Sequence, residues 1–410
     1  MRRELSRRRL GLLLAAAGTG LAGCGLREPG AGPEPVDAAA ADRAARPGLP
    51  DGALGANFNG APDVVTFPEL RAIDASWLRG FHVVDAADRA DPAQRPEIRL
   101  LLDASDRGYG TAMSLKFQNS GRPLPRPGTP ELAADLARLD AVLSTVLDRI
   151  DLLCIGNEPF LETRKADRGS RLNEYYEALA RHVIDRRRRD FGADCRTRLF
   201  LGALNHLDRP GGQTAATARW LDFARRTPEL EGVDIHPHVD DPAGCGTYLD
   251  YVLPKLRPDQ RILVTEFSLV LFWKSKLREP VAAEYARRYG LPGGTRVWQA
   301  VQAAIDSPVP QRQWDDLCAT SRWYAAHDHF LQAQVERFRA TGRLALATYG
   351  VAQDTPMVQD FGPDKTPWLF NSIFASKTVQ PAPDGLPGRG HGWFEQFRAL
   401  QREQDRRPVR

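Results

Sequence analysis

Leu152-Leu153-Cys154-Ile155-Gly156-Asn157-Glu158-Pro159 is a run of four apolar residues closed by a glycine, two polar residues and a proline. A run this short, bounded by turn formers, reads as a fully buried strand and not as a helix. Ile262-Leu263-Val264-Thr265-Glu266-Phe267-Ser268 repeats the arrangement. Each strand therefore delivers a glutamate at its C-terminal end. A carboxylate beside an apolar strand is unfavourable unless it is paired or used, so two such ends in one chain point to a shared cleft.

Outward from these runs the same pattern recurs. Strands are expected at Leu54–Phe58, Ser76–Phe81, Thr111–Phe117, Leu152–Gly156, Leu199–Leu204, Val233–His236, Ile262–Thr265 and Leu344–Tyr349. Between them lie stretches with apolar residues at i, i+3 and i+4, such as Pro130–Leu147 and Leu172–Arg189. Eight strands alternating with helices predict a closed (β/α)8 barrel of the α/β class, here over residues 52–405. The connection from the seventh strand to the eighth, residues 269–343, is too long for an ordinary crossover and reads as a helical insertion. Its Trp298, Trp314, Trp323 and Tyr324 have the helical spacing of core residues, as do His327 and His329 unless they lie on the surface. Trp273, close behind Glu266, is expected at the barrel mouth.

The N-terminus reads differently. Arg2, Arg3, Arg7, Arg8 and Arg9 precede an apolar stretch that ends in Leu21-Ala22-Gly23-Cys24. This is the layout of a signal peptide over residues 1–23. The Leu-Ala-Gly-Cys string resembles the bacterial lipobox and Ser6-Arg7-Arg8-Arg9-Leu10 resembles a twin-arginine export signal, which together imply lipidation of Cys24 and a membrane-anchored, exported protein. Residues 24–51, rich in Pro, Ala and Gly, read as a disordered tether. The five arginines less Glu4 account for the whole formal charge of +4, which leaves the remainder near neutral and without a nucleic-acid footprint. With 42% hydrophobic and 26% charged residues, the chain as a whole has the composition of a soluble globular protein. Cys154, Cys195, Cys245 and Cys318 show no Cys-x-x-Cys spacing, so neither a zinc site nor an essential disulfide is expected.

Together these features resemble the clan A retaining glycoside hydrolases, the superfamily of barrel enzymes that includes cellulases, β-mannanases and β-xylosidases. Asn157-Glu158-Pro159 after the fourth strand resembles the clan's acid/base site, and Thr265-Glu266-Phe267-Ser268 after the seventh its nucleophile site. The resemblance implies that Glu158 protonates the leaving oxygen and later activates water, while Glu266 attacks the anomeric carbon. On physical grounds Glu158 should then be protonated and Glu266 ionised, with a cation beside Glu266. Arg79 on the second strand stands where clan members carry an arginine bonded to the nucleophile, although it could also be a barrel-bottom ion pair.

By the same resemblance Asn157 would bond the sugar 2-hydroxyl, unless it only shapes the turn before Pro159. Asp234-Ile235-His236-Pro237-His238 resembles the clan's His-x-Tyr element, with His238 in place of the tyrosine. Trp368 resembles the aromatic floor of the sugar site. Asn57, Asn59, Lys116, Gln118, Asn205, His206 and Gln353, all at strand ends, are subsite candidates or ordinary loop caps.

The reading is thus a retaining β-glycoside hydrolase without cofactor or metal. Its partners are a carbohydrate and, through lipid, a membrane, and the protein is expected to be a monomer. Two rivals remain: a non-catalytic glycan-binding lipoprotein on a barrel scaffold, and a metal-dependent hydrolase using His236 and His238.

Overall fold

The structure is a computed structural model and describes residues 49–88 and 90–405. The signal peptide, the lipidation site Cys24 and most of the tether lie outside the described residues.

Eight parallel strands close on themselves in sequence order: β1 (Ala53–Asn59), β2 (Trp77–Val83), β3 (Gly110–Lys116), β4 (Leu152–Ile155), β5 (Arg198–Asn205), β6 (Leu230–His236), β7 (Arg261–Val264) and β8 (Leu344–Gly350), with β8 pairing back onto β1. This is the (β/α)8 barrel expected from the alternation of strands and helices. Helices α1 (Phe67–Ala72), α2 (Pro96–Asp106), α3 (Pro130–Val146), α4 (Pro159–Glu162), α5 (Ser170–Phe191), α6 (Ala215–Arg226) and α7 (Gly244–Val252) fill the connections up to β7. Between β7 and β8 run α8 (Val270–Lys276), α9 (Ala283–Arg288), α10 (Val297–Asp306), α11 (Gln311–Thr320), α12 (Arg322–Ala325) and α13 (Phe330–Ala340). After β8 come α14 (Thr355–Val358) and α15 (Trp393–Asp405).

Local chemistry explains where these helices begin and what they bury. At α3 the Thr129 hydroxyl caps the Leu132 amide and Pro130 occupies the first turn, where its missing N–H is no loss. Leu139, Val142, Leu143 and Val146 then line one face, all with no exposed surface. Each contributes about 1.5–3 kcal/mol by leaving water.

Inside the barrel the side chains sort by height. The N-terminal half holds an apolar layer of Ala53, Ala112, Leu152, Cys154, Phe200, Leu263 and Leu346, with Trp77 beneath it. Leu49 already packs against this layer, so the chain is anchored before residue 51, where the tether was expected to end. Its apolar side chain finds a partner at the barrel bottom, which the Pro/Ala/Gly-rich composition around it does not reveal. Polar side chains are thereby displaced toward the C-terminal half.

The insertion corrects one expectation. Trp273 does not face the mouth: it is fully buried, stacks on Tyr324 at 5.0 Å and touches Trp323 and His327. It lies on α8, whose turn carries the indole away from the strand end and into the aromatic core of the insertion. Cys154, Cys195, Cys245 and Cys318 are buried free thiols.

Candidate active site

Polar side chains fill the C-terminal end of the barrel, those next to β4 and β7 coming from the residues just past the strands, and within the other strands the period of two decides which side chains point there. Asn57 and Asn59 share the inner face of β1, Ser114 and Lys116 that of β3, and Asp234 and His236 that of β6. Arg79 on β2 is fully buried among them.

Glu158 stands just past β4 because of Gly156. That residue has φ +109°, and a Cβ there would sit 2.0 Å from the Gly202 carbonyl oxygen. Only glycine accepts both the positive φ and this approach, and the turn so formed points Asn157 and Glu158 over the barrel. Glu266 follows β7, where the Thr265 amide donates to Asp234 Oδ1 at 3.0 Å and the Thr265 hydroxyl to Asp234 Oδ2 at 2.5 Å.

The two glutamates meet. An oxygen of each lies, with a nitrogen of His236 and one of His238, in a group whose members are all within 4.8 Å of one another. Their surroundings differ. Glu266 Oε1 accepts a charge-assisted bond from Arg79 Nη1 at 2.6 Å. The same guanidinium is held by Asn57 and Asn59 on one nitrogen, at 3.3 Å each, and by Ser114 at 2.9 Å and Asn157 at 2.8 Å on the other. Glu158 has no arginine; its Oε1 accepts from Asn205 Nδ2 at 2.6 Å and faces His236 Nδ1 at 3.2 Å.

His236 connects the pair. Its Nε2 is 2.8 Å from the Thr265 hydroxyl and its Nδ1 is 3.9 Å from Glu266 Oε1. Burial alone would push the imidazole toward neutrality, but the charges of Glu266 and Asp234 and the bonds to Asp234 and Glu158 carry its pKa up to about 10. Burial also opposes ionisation of Glu266, yet His236 and Arg79 hold that carboxyl well below its usual range. Against the same penalty, the bond and charge of His236 keep Glu158 below its ordinary value. This departs from the expected protonated Glu158. In the free site the proton sits on the imidazole, because a buried cation between two carboxylates is better solvated by them than a neutral acid would be.

His238 lies beside both, its Nε2 3.6 Å from Glu266 Oε2 and 3.9 Å from Glu158 Oε1, with Nδ1 against the Ser268 hydroxyl at 2.8 Å. Trp368, half-buried, meets His238 edge-on at 5.0 Å. It lines a recess together with Asn57, Asn59, Glu266 and Gln353. Asn157 is occupied at both ends, accepting from Arg79 and donating to Glu162 at 2.8 Å, which leaves one amide hydrogen for a ligand. Lys116 pairs with Glu162 at 3.0 Å. Asn205 and His206 line a cleft on the Glu158 side. Of the nominated residues, Trp273 falls away from the site, Gln118 is exposed and bonds Asp85 through its backbone amide, and Cys24 lies outside the described residues.

Sequence reading missed Ser114, Glu162, Asp234, Thr265 and Ser268. Ser114 and Asp234 carried a usable signal, since each stands two residues before a nominated one on the same strand face. Asn371, which accepts from Tyr349 at 2.8 Å and donates to the Phe267 carbonyl at 3.2 Å, ends the short 3-10 helix Trp368–Asn371 beyond β8 and carried none.

Glu158, His236, His238 and Glu266 have the donor types and spacing to gather round one cation. The fixed charge of Arg79 on Glu266, and the engagement of both His236 nitrogens, work against a second cation there.

No family model and no curated protein matches the chain. Among solved structures it is similar to a thermostable, halotolerant GH5 cellulase from an Icelandic hot spring isolate, at 11% identity over 87% of this chain and 89% of that one, with a TM-score of 0.44. It is also similar to an endo-β-1,4-glucanase from Xanthomonas axonopodis pv. citri (10% identity, 86% and 99% covered, TM-score 0.45). A GH113 β-1,4-mannanase is a further such structure (9% identity, 87% and 100% covered, TM-score 0.40). At these values the likeness carries no argument, and the functional reading rests on the geometry of the site.

Proposed function

We propose that the protein is a retaining β-glycoside hydrolase, with Glu266 as nucleophile and Glu158 as acid/base. One observation carries this reading: two carboxylates with an oxygen of each within 4.8 Å of the other at the barrel's C-terminal rim, only one of them clamped by arginine. Retention requires carboxyl groups about 5–5.5 Å apart, close enough for direct attack, whereas inversion needs about 6.5–9.5 Å to admit water.

The proton inventory supports the division of roles. Glu266 is ionised and held in one rotamer by Arg79, as a nucleophile must be. As it bonds to the anomeric carbon its negative charge is consumed, and the strongest support for the His236 cation disappears. The proton then leaves Nδ1 through Glu158 to the glycosidic oxygen as the C–O bond breaks. In the second half water attacks the anomeric carbon, its proton passes to Glu158 and back to Nδ1, and Glu266 leaves as carboxylate. Nε2 keeps its hydrogen on Thr265 throughout, so the tautomer is set for the return.

The substrate in this reading is an oligo- or polysaccharide outside the cytoplasm, reached from a membrane to which lipid on Cys24 tethers the chain. Export and anchoring rest on the N-terminal sequence alone. Cys24→Ala should move the protein from the membrane to the soluble fraction.

A panel of aryl β-glycosides and polysaccharides, offered to the full chain with the product anomer followed by NMR, tests the reaction. The β anomer should appear first. Initial α product would replace retention by inversion, and binding without turnover would favour the glycan-binding scaffold. The four-donor cluster keeps a metal-dependent hydrolase as a second reading, which activity abolished by a chelator and restored by zinc would favour.

A further inference from the structure

In a site of this kind the leaving group departs on the side of the acid and the retained sugar sits on the side of the nucleophile. The recess with Trp368 and His238 borders Glu266. On the opposite side, next to the Asn205 that holds Glu158, a cleft of about 340 Å³ opens between residues 160–168 and 205–217. Phe160 and the exposed Leu161 give it an apolar wall. Asn205 turns its Nδ2 to Glu158 and leaves its buried Oδ1 without a partner, ready to accept from a hydroxyl.

Two arginines and no carboxylate line this cleft. Arg209 is already answered by Asp208 at 3.5 Å and Asp240 at 3.1 Å. Arg168 is not. Its Nε donates to the Thr163 carbonyl at 2.7 Å and its Nη2 to the Leu161 carbonyl at 3.1 Å, and no described Asp or Glu pairs with it. Two carbonyls thus fix the guanidinium plane while Nη1 and its charge remain unspent. The segment that carries Arg168 also walls a second cavity, of about 480 Å³, in which Arg122 is answered by Asp135 at 2.9 Å and Asp85 at 3.7 Å, and Arg164 and Arg171 share Asp167. Arg126 is exposed and likewise has no described carboxylate partner. Arg168 and Arg126 are thus the two arginines lining these cavities that have no described carboxylate partner.

We propose, resting on the hydrolase reading above, that the leaving-group side takes an acidic sugar chain. Arg168 receives the carboxylate or sulfate of the first leaving sugar, and Arg126 in the second cavity is placed to receive one further along the chain. A planar guanidinium already oriented by backbone carbonyls matches such oxyanions geometrically as well as electrostatically.

The test is equilibrium binding of sulfur-linked tetrasaccharides, which resist cleavage, to the full chain. Neutral, uronate and O-sulfated members are compared in the gluco, manno and galacto series. In at least one series an acidic member should bind about tenfold or more tighter than its neutral counterpart, an advantage that shrinks as salt rises. Arg168→Gln should remove that advantage, with a circular-dichroism spectrum like that of the wild type reporting an intact fold, while Arg168→Lys should keep part of it. A preference for uronate assigns a carboxylate and a preference for sulfate assigns a sulfate ester; either supports the proposal. Equal affinity within every series, no binding in any, or an unaltered preference in Arg168→Gln overturns it. Aryl β-glycoside turnover, measured alongside, separates the two readings. Turnover with no acidic preference defeats this proposal alone, and an Arg168-dependent acidic preference without turnover defeats the hydrolase reading alone.

Discussion

Arg79 Nη1 lies 2.6 Å from Glu266 Oε1, and the arginine side chain has no exposed surface. A guanidinium this deep is tolerated because five polar side chains answer it, and it holds the carboxylate ionised in return. Arg79→Met should therefore raise the pKa of Glu266. The acidic limb of the kcat/KM profile should move to higher pH, with a loss of about tenfold or more at pH 5. Arg79→Lys, which keeps the charge, should move it less; coincident acidic limbs in all three proteins would detach Arg79 from the nucleophile.

Truncating the glutamates should separate their roles. Glu266→Ala should lower kcat by about a thousandfold or more, with azide restoring turnover and giving a glycosyl azide of inverted configuration. Glu158→Ala should lose about 10²–10⁴-fold and give a retained azide. Full activity in either variant would refute the assignment.

His236 links stability to pH. Its folded pKa, about 10, lies above the unfolded value of about 6.5, so the folded state binds the proton more tightly. The stabilisation is complete below pH 6.5 and is lost as pH rises through 10. Glu266, depressed by the same contact, contributes stability above about pH 4.3 that is lost as pH falls through its folded value. Thermal melts of wild type and His236→Gln should differ most near pH 6 and converge toward pH 10. A constant gap would show that His236 is held neutral.

His238 occupies the place of a tyrosine in the resembled clan, 3.6 Å from Glu266 Oε2. His238→Tyr should retain most of kcat/KM, because a phenol can still reach the carboxylate, whereas His238→Ala should lose about tenfold or more. Equal activity in all three would remove His238 from the site.

Trp273 and Trp368 should part company. Trp273→Ala opens a cavity in the aromatic core and should destabilise by about 3–5 kcal/mol with KM unchanged in the folded fraction. Trp368→Ala, at the recess, should raise KM while shifting Tm little. The reverse pattern would return Trp273 to the site.

The sequence by itself determined the barrel and the two glutamates, because both are written in local chemistry. Buried parallel strands must be short apolar runs between turn formers, and a carboxylate at such an end has no bland explanation, so Leu152–Glu158 and Ile262–Glu266 were legible without neighbours. The resemblance to the clan A enzymes extended that legibility to Arg79 and His236. Only the tertiary structure decided what the third dimension supplies. α8 turns Trp273 into the core, while a short 3-10 helix past β8, Trp368–Asn371, brings Trp368 onto His238. The proton also moves from Glu158 to His236, since a pKa is set by charges within a few ångströms, here contributed by strands β4, β6 and β7 together. No window of sequence contains that neighbourhood; closure of the barrel creates it.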